Sequence, residues 1–185
     1  MVLDSAGLSG FLSGKAVMVT GAGGSIGAEL CRQILTLKPR TLVLLGHGEN
    51  SIFGIEAELR HRLVEAGKEL GAGPPVRLHA VIADIRDRDR LEHVFALYRP
   101  DVVFHAAAHK HVPLMEANAE DAVTNNVLGT RNLLELCDAF ATERFVLIST
   151  DKAVNPTSIM GATKRVAELL VQETAVRTGR AYVAV

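Results

Sequence analysis

The residues best equipped for chemistry cluster late in the chain, in Ser149-Thr150-Asp151-Lys152 and in Met160-Gly161-Ala162-Thr163-Lys164. A carboxylic acid and an amine stand side by side directly after the apolar run Phe145-Val146-Leu147-Ile148, where a buried strand would emerge into a cleft. An acid and a base within reach of adjacent atoms are what an elimination or a proton relay needs. A second amine, Lys164, follows on an amphipathic helical pattern. A thioether, Met160, lies four residues earlier and so on the same helical face.

Such groups work only if a scaffold holds them in register. Apolar runs bounded by Gly or Pro alternate here with amphipathic stretches, the pattern of a parallel sheet joined by crossover helices. Strands are expected at Ala16–Thr20, Thr41–Leu45, Val76–Ile82, Val102–His105, Phe145–Ser149 and Ala181–Val185. Between them, Leu30, Ile34 and Leu37 recur at helical spacing, as do Ile52, Ile55, Leu59 and Leu63, and then Leu133, Leu134 and Cys137. Asp87 can cap a helix before Leu91 and Val94, and Pro100 stops it. Gly67 to Pro75 is the one loop-rich segment. The expected architecture is α/β, a doubly wound parallel sheet of Rossmann type. It is expected as one domain over residues 1–185, with a lead-in over 1–12 and a reacting segment at 149–164.

The 185 residues, 48% of them apolar and 22% charged, suffice for a sizeable core. A formal net charge of −1 argues against a general nucleic-acid binder or a polybasic membrane anchor. Cys31 and Cys137 fall in helical patterns without CxxC spacing and read as reduced core thiols. No apolar run approaches the ~20 residues that cross a bilayer, and Met1 to Phe11 is no signal peptide, so the expected location is cytoplasmic.

After the first strand comes Thr20-Gly21-Ala22-Gly23-Gly24-Ser25-Ile26-Gly27. Gly21 permits a tight turn, Gly24 lets backbone amides approach a pyrophosphate, and Gly27 lets the following helix pack on the strand. A helix beginning near Ser25 and Ile26 aims its amides and positive dipole end at the phosphates. Strand, glycine loop and helix in this order point to NAD or NADP. The second strand leads into Gly46-His47-Gly48-Glu49-Asn50-Ser51. Without a carboxylate at 46, NADP is less repelled, and His47, Asn50 or Ser51 could bond a 2′-phosphate. Glu49 is either a displaced ribose acceptor or an acid favoured by the helix dipole. The two cofactors stay level on this reading.

The spacing of Gly21, Gly24 and Gly27 resembles the extended branch of the short-chain dehydrogenase/reductase superfamily. That resemblance implies adenine contacts from Asp84 and Ile85 in Ala83-Asp84-Ile85-Arg86-Asp87; the plainer reading is that Asp84 and Asp87 are turn and cap residues. Ala106, Ala107 and Ala108 resemble its small-residue turn, where backbone approaches the cofactor's second phosphate and ribose. Asn126 resembles the asparagine that orients the cofactor region and the active-site lysine, while Asn125 reads as a cap opening a long helix. His109-Lys110-His111 supplies too few ligands for a metal, and none is expected. Lys110 and His111 read either as a cationic cluster for a nucleotide-sugar diphosphate or as a solvated turn.

The run from Phe104 to Glu116, then Asn125 to Thr130, then Ser149 to Lys164 resembles the polysaccharide-biosynthesis (CapD-like) family, from about Leu12 to the end. Its members are UDP-N-acetylhexosamine 4,6-dehydratases, which implies UDP-N-acetylglucosamine as substrate and bacterial surface glycans as destination. By that resemblance a tightly bound cofactor takes hydride from C4 of the sugar and returns it to C6. Asp151 is the acid for the departing C6 hydroxyl, Lys152 the base for the C5 proton, and Thr150 a hydrogen-bond partner of the C4 hydroxyl. Lys152 must then be partly neutral, through desolvation or a neighbouring cation such as Lys164. Lys164 resembles the lysine that holds the nicotinamide ribose. Met160 occupies the place of the usual tyrosine, and a branch of the family shares methionine there, with Asp151, through Thr150, as substitute base.

Asp151-Lys152 and the missing tyrosine count against a nucleotide-sugar 4-epimerase. A non-catalytic NAD(P)-binding module is the other alternative. The last expected strand runs straight into the C-terminus, so the chain reads as a core without a substrate lid, able to bind cofactor but weak in turnover. The resemblance also implies a homodimer or higher oligomer, and tethering to the inner face of a membrane in longer members.

Overall fold

Alternation of strands and helices in the sequence becomes alternation in space. The computed structural model describes residues 11–69 and 76–185. In chain order the elements are β1 (Ala16–Thr20), α1 (Ser25–Thr36), β2 (Thr41–Gly46), α2 (Glu49–Glu69), β3 (Arg77–Ile82), α3 (Arg88–Tyr98) and β4 (Val102–His105). There follow α4 (Val112–Ala117), α5 (Ala119–Val123), a π-helical turn (Thr124–Leu128) and α6 (Gly129–Ala139). The chain continues through β5 (Arg144–Leu147), a 3-10 turn (Asp151–Ala153), α7 (Ile159–Thr178) and β6 (Ala181–Ala184).

The six strands form one parallel sheet in the order β3-β2-β1-β4-β5-β6, the doubly wound Rossmann arrangement expected from the sequence. Side chains alternate between two apolar layers. Val17 and Val19 of β1 join Cys31, Ile34, Ile52 and Leu59 from α1 and α2 on one face. Met18 of the same strand joins Leu91, Phe95, Leu133 and Val171 from α3, α6 and α7 on the other. Strand order reverses between β1 and β4, which opens a crevice at their carboxyl ends.

The differences from expectation are local. Ile148 and Ser149 lie beyond β5: each keeps one backbone bond, to His105 and Val185, and then the chain leaves the sheet. The helix α2 runs through Gly67 to Glu69, because a single glycine costs about 1 kcal/mol and does not stop an established helix. The rest of the loop-rich segment, 70–75, lies outside the described residues, as do residues 1–10 of the lead-in. Leu12 itself is buried in the α1–α2 layer. Asn125 caps nothing: the helical run begins six residues earlier, at Ala119, and the two asparagines sit within it. Asp87 does cap α3, accepting from the Arg90 amide at 3.0 Å.

Candidate active site

Immediately after β1 the backbone turns at Gly21, whose φ of +70° favours glycine. A Cβ there would lie 2.6 Å from the Ala107 nitrogen and 2.7 Å from the Ala106 carbonyl carbon. Two backbone segments therefore meet with no room for a side chain. The Gly24 amide closes the turn onto the Gly21 carbonyl at 2.9 Å, and a Cβ at Gly27 would overlap that same carbonyl. Ser25 and Ile26 then open α1 with exposed side chains, and the amides of that first turn have no partner within the helix. A glycine turn closing onto a helix N-terminus has the chemistry that suits a phosphate group.

A cleft of about 240 Å³ continues from the turn, lined by Gly21, Gly23, Gly24, His47, Gly48, Ser51, Asp84, Ile85, Ala106 to His109 and Asn125, among others. Of the residues expected to touch cofactor, Gly21, Gly24, His47, Asp84, Ile85 and Ala106 to Ala108 line it. Glu49 and Asn50 do not: they form the exposed first turn of α2, where the helix dipole accounts for the acid. Ser51 takes their place, donating to the Gly48 carbonyl at 2.9 Å and packing against Gly23. Asp84 is already engaged, since Arg86 reaches its carboxylate at 2.6 Å and holds it below the usual carboxyl range. Arg86 also bonds Asp121 at 2.9 Å, and His109 Nε2 reaches Asp121 at 2.8 Å. Lys110 and His111 are exposed and outside the lining. Among the described residues, no cluster of His, Cys, Asp or Glu could hold a metal.

Asn125 and Asn126 are both buried because the helix widens into a π-turn there, the Gly129 amide bonding the Thr124 carbonyl five residues back. Asn126 uses its whole amide. Its oxygen accepts from the His109 amide (2.8 Å) and from Asn125 (3.0 Å), and its nitrogen donates to the His109 carbonyl (3.1 Å) and to Thr163 (3.0 Å). It thus ties the β4 loop to α7 at the residue before Lys164, and Asn125 faces the cleft.

Sequence reasoning gave His105 no role beyond its strand. It is 1% exposed and bonded on both sides. Thr130 donates its hydroxyl to the Asn126 carbonyl at 2.7 Å, so it accepts from His105 Nε2 at 2.9 Å. Nδ1 then accepts from Thr20 at 2.7 Å, which assigns the neutral tautomer. Burial, helped by Lys164, pushes its pKa down to about 3. A neutral relay therefore joins the residue before Gly21 to Asn126.

At the end of β5, Thr150 takes an extended conformation and caps the 3-10 turn that carries Asp151 and Lys152. The Thr150 hydroxyl donates to Asp151 Oδ1 at 2.9 Å, and Lys152 Nζ lies 3.6 Å from the same oxygen. Thr150 first, then Lys152, hold the Asp151 carboxyl below the usual range. Desolvation falls on the other amine from the one the sequence suggested: Lys152 is 55% exposed in its side chain, whereas Lys164 is 5% exposed. Burial pushes Lys164 down to about 8, against the opposing pull of Glu168, and its ammonium donates to the Ile148 carbonyl at 2.8 Å. Met160 is 2% exposed and packs with Met115 and Ala122, tying α7 to α4 and α5.

The model of the family described as "Polysaccharide biosynthesis protein" matches residues 17–185. This chain belongs to that family. It is 53% identical to the probable polysaccharide biosynthesis protein EpsC of Bacillus subtilis (strain 168), across 92% of this chain and 27% of that protein. It is 30% identical to the UDP-N-acetylglucosamine 4,6-dehydratase (inverting) of Campylobacter jejuni serotype O:23/36, across 85% of this chain and 43% of that one. Among solved structures, Pen from Bacillus thuringiensis superposes with a TM-score of 0.80 at 29% identity, over 93% of this chain and 50% of that one. Nucleotide-sugar 4-epimerases and dehydratases recur among the other matches, and several solved ones hold NAD. The chain spans between about a quarter and a half of the length of these relatives. Among the described residues no helix is long and apolar enough to cross a membrane.

Proposed function

We propose that this chain is the cofactor-binding and reacting core of a nucleotide-sugar 4,6-dehydratase that converts UDP-N-acetylglucosamine to a 4-keto-6-deoxy sugar for surface polysaccharide. The observation that carries the reading is the strand exit: an ionised Asp151 bonded to Thr150, with Lys152 beside it, at the same end of the sheet as the phosphate cradle. The dinucleotide, when bound, supplies a hydride acceptor for C4 and a donor for C6. The glycine cradle, the Ala106–Ala108 turn and Lys164 would hold it.

Because Asp151 rests ionised, it starts as a base. It collects the C4 hydroxyl proton through Thr150 as C4 is oxidised, and so becomes an acid. The C4 ketone acidifies the C5 proton, which Lys152 removes, while the proton now on Asp151 goes to the C6 hydroxyl, which departs as water. Lys152 returns its proton to C5 as C6 is reduced, and every group ends as it began. Met160 takes no proton: a thioether is a weak acceptor, and packing holds it away from solvent. Sugar covering the exposed pair would remove water from it, and desolvation favours the uncharged amine that proton removal requires.

The test is incubation of the protein with UDP-N-acetylglucosamine in deuterated water. A 4-keto-6-deoxy product with solvent deuterium at C5 is expected. Interconversion with UDP-N-acetylgalactosamine, without loss of water, would instead make the protein an epimerase.

A further inference from the structure

Two side chains one helical turn apart on α7 grip consecutive residues of the strand exit. Lys164 Nζ donates to the Ile148 carbonyl at 2.8 Å, and Glu168 Oε1 accepts from the Ser149 hydroxyl at 2.6 Å. The same two residues are held sideways by their amides, Ile148 to the His105 carbonyl at 3.0 Å and Ser149 to the Val185 carbonyl at 2.6 Å. The next residue is Thr150, where the chain turns out with Asp151 and Lys152. A Cβ at Gly161 would overlap the Lys152 carbonyl, so the turn also leans on the first coil of α7.

We infer that Glu168 is a positioning residue of this site: with Lys164 it clamps Ile148 and Ser149, and so sets where Thr150, Asp151 and Lys152 leave the sheet. The inference rests on the proposed reaction, because it assigns Glu168 to that same site. A neutral amide could also accept from Ser149. A carboxylate adds negative charge beside a buried ammonium whose bonded partner is a neutral carbonyl.

Glu168 is 15% exposed in its side chain, and its second oxygen accepts from Arg165 at 2.9 Å. Burial works against its ionisation, but Ser149, Arg165 and Lys164 outweigh it and keep the carboxyl below the usual range. The titratable groups facing Lys164 are Glu168 from its own helix and His105 from β4. Arg165 lies on the far oxygen of Glu168, and Asp151 and Lys152 begin three residues beyond the carbonyl that Lys164 holds.

Cofactor binding tests the charge. Affinity for NADH or NADPH, followed by nicotinamide fluorescence, should fall as pH rises through about 8, where Lys164 loses its proton. In Glu168→Gln the fall should begin roughly one pH unit lower, because the acid no longer favours the ammonium. Turnover tests the clamp. Glu168→Ala and Ser149→Ala should each lower kcat about tenfold with little change in KM, the double variant should be no worse than either, and Glu168→Gln should recover part of the loss. Coincident binding profiles for wild type and Glu168→Gln would overturn the inference. So would multiplying losses, or a lowered Tm with kcat unchanged. If wild type fails to dehydrate the sugar, the proposed reaction falls, yet the binding profiles still decide the role of Glu168.

Discussion

Gly21 and Asp151 follow β1 and β5 at the same edge of the sheet but line separate hollows, the first with Ala106 to Ala108 and the second with Ser149, Thr150 and Glu168. Around Gly21, the turn and the Ala106–Ala107 backbone close to within the space of a missing Cβ. Around Asp151, the carboxylate is 88% exposed and the partner amine 55% exposed. On the proposed function, the first region is shaped before any ligand arrives and would bind by preorganisation. The second is placed but wet, and acid–base chemistry there would wait on a substrate that expels water. Between them stand two buried devices, the Thr20–His105–Thr130–Asn126 relay and the Lys164 side chain, which belong to the rigid half.

If that contrast is right, perturbations should separate binding from turnover. Gly21→Val should abolish cofactor binding, weakening it by three orders of magnitude or more, because a branched side chain meets the Ala106–Ala107 backbone and the positive φ at once. Isothermal titration checks this, and binding within tenfold of wild type would mean that the cradle is not preformed. Asp151→Asn should lower kcat by roughly 10²–10³ while the cofactor affinity stays within twofold, since the exposed end contributes chemistry and not the cradle. A parallel loss of cofactor binding would erase the division between the two ends.

The relay gives a pH signature. His105 has a folded pKa of about 3 against about 6.5 unfolded, so between these values the unfolded chain binds more protons. Its contribution is fully present above pH 6.5 and is lost as pH falls towards 3, amounting at most to about 5 kcal/mol. Urea unfolding across that range should therefore show a shallower pH slope in His105→Gln than in wild type; equal slopes would mean that the ring is not held neutral. The smallest effect is expected at the position where a tyrosine was missed. Met160→Leu keeps volume and apolarity, should cost less than about 1.5 kcal/mol, and should leave turnover within threefold. A kcat loss as large as that of Asp151→Asn would return Met160 to the chemistry.

Much of the fold was legible because its signals are local. Thr41 to Leu45 and Val102 to His105 announced strands by unbroken apolar runs, and Asp87 announced its helix by a cap. The glycine loop was legible for the same reason, since a positive φ and a close approach leave glycine as the residue that fits. The π-turn was not legible: nothing in Thr124 to Leu128 distinguishes an i→i+5 bond from an α-helical one, so Asn125 read as a cap and not as a cleft wall. Among His47, Glu49, Asn50 and Ser51 the sequence could not choose, because which of them faces the cleft depends on where α2 begins: His47 and Ser51 line it, while Glu49 and Asn50 turn outward.

The sequence by itself determined the order of elements, the glycine turn after β1, and an acid beside an amine past the end of β5. Those follow from periodicity and from residue type, which act over a few positions. Only the tertiary structure decided which amine is desolvated, that Met160 packs against Met115, that His105 is held neutral, and that Glu168 reaches back to Ser149. Each depends on which side chains meet across elements far apart in the chain, and burial, the largest influence on Lys164 and His105, is a property of that meeting.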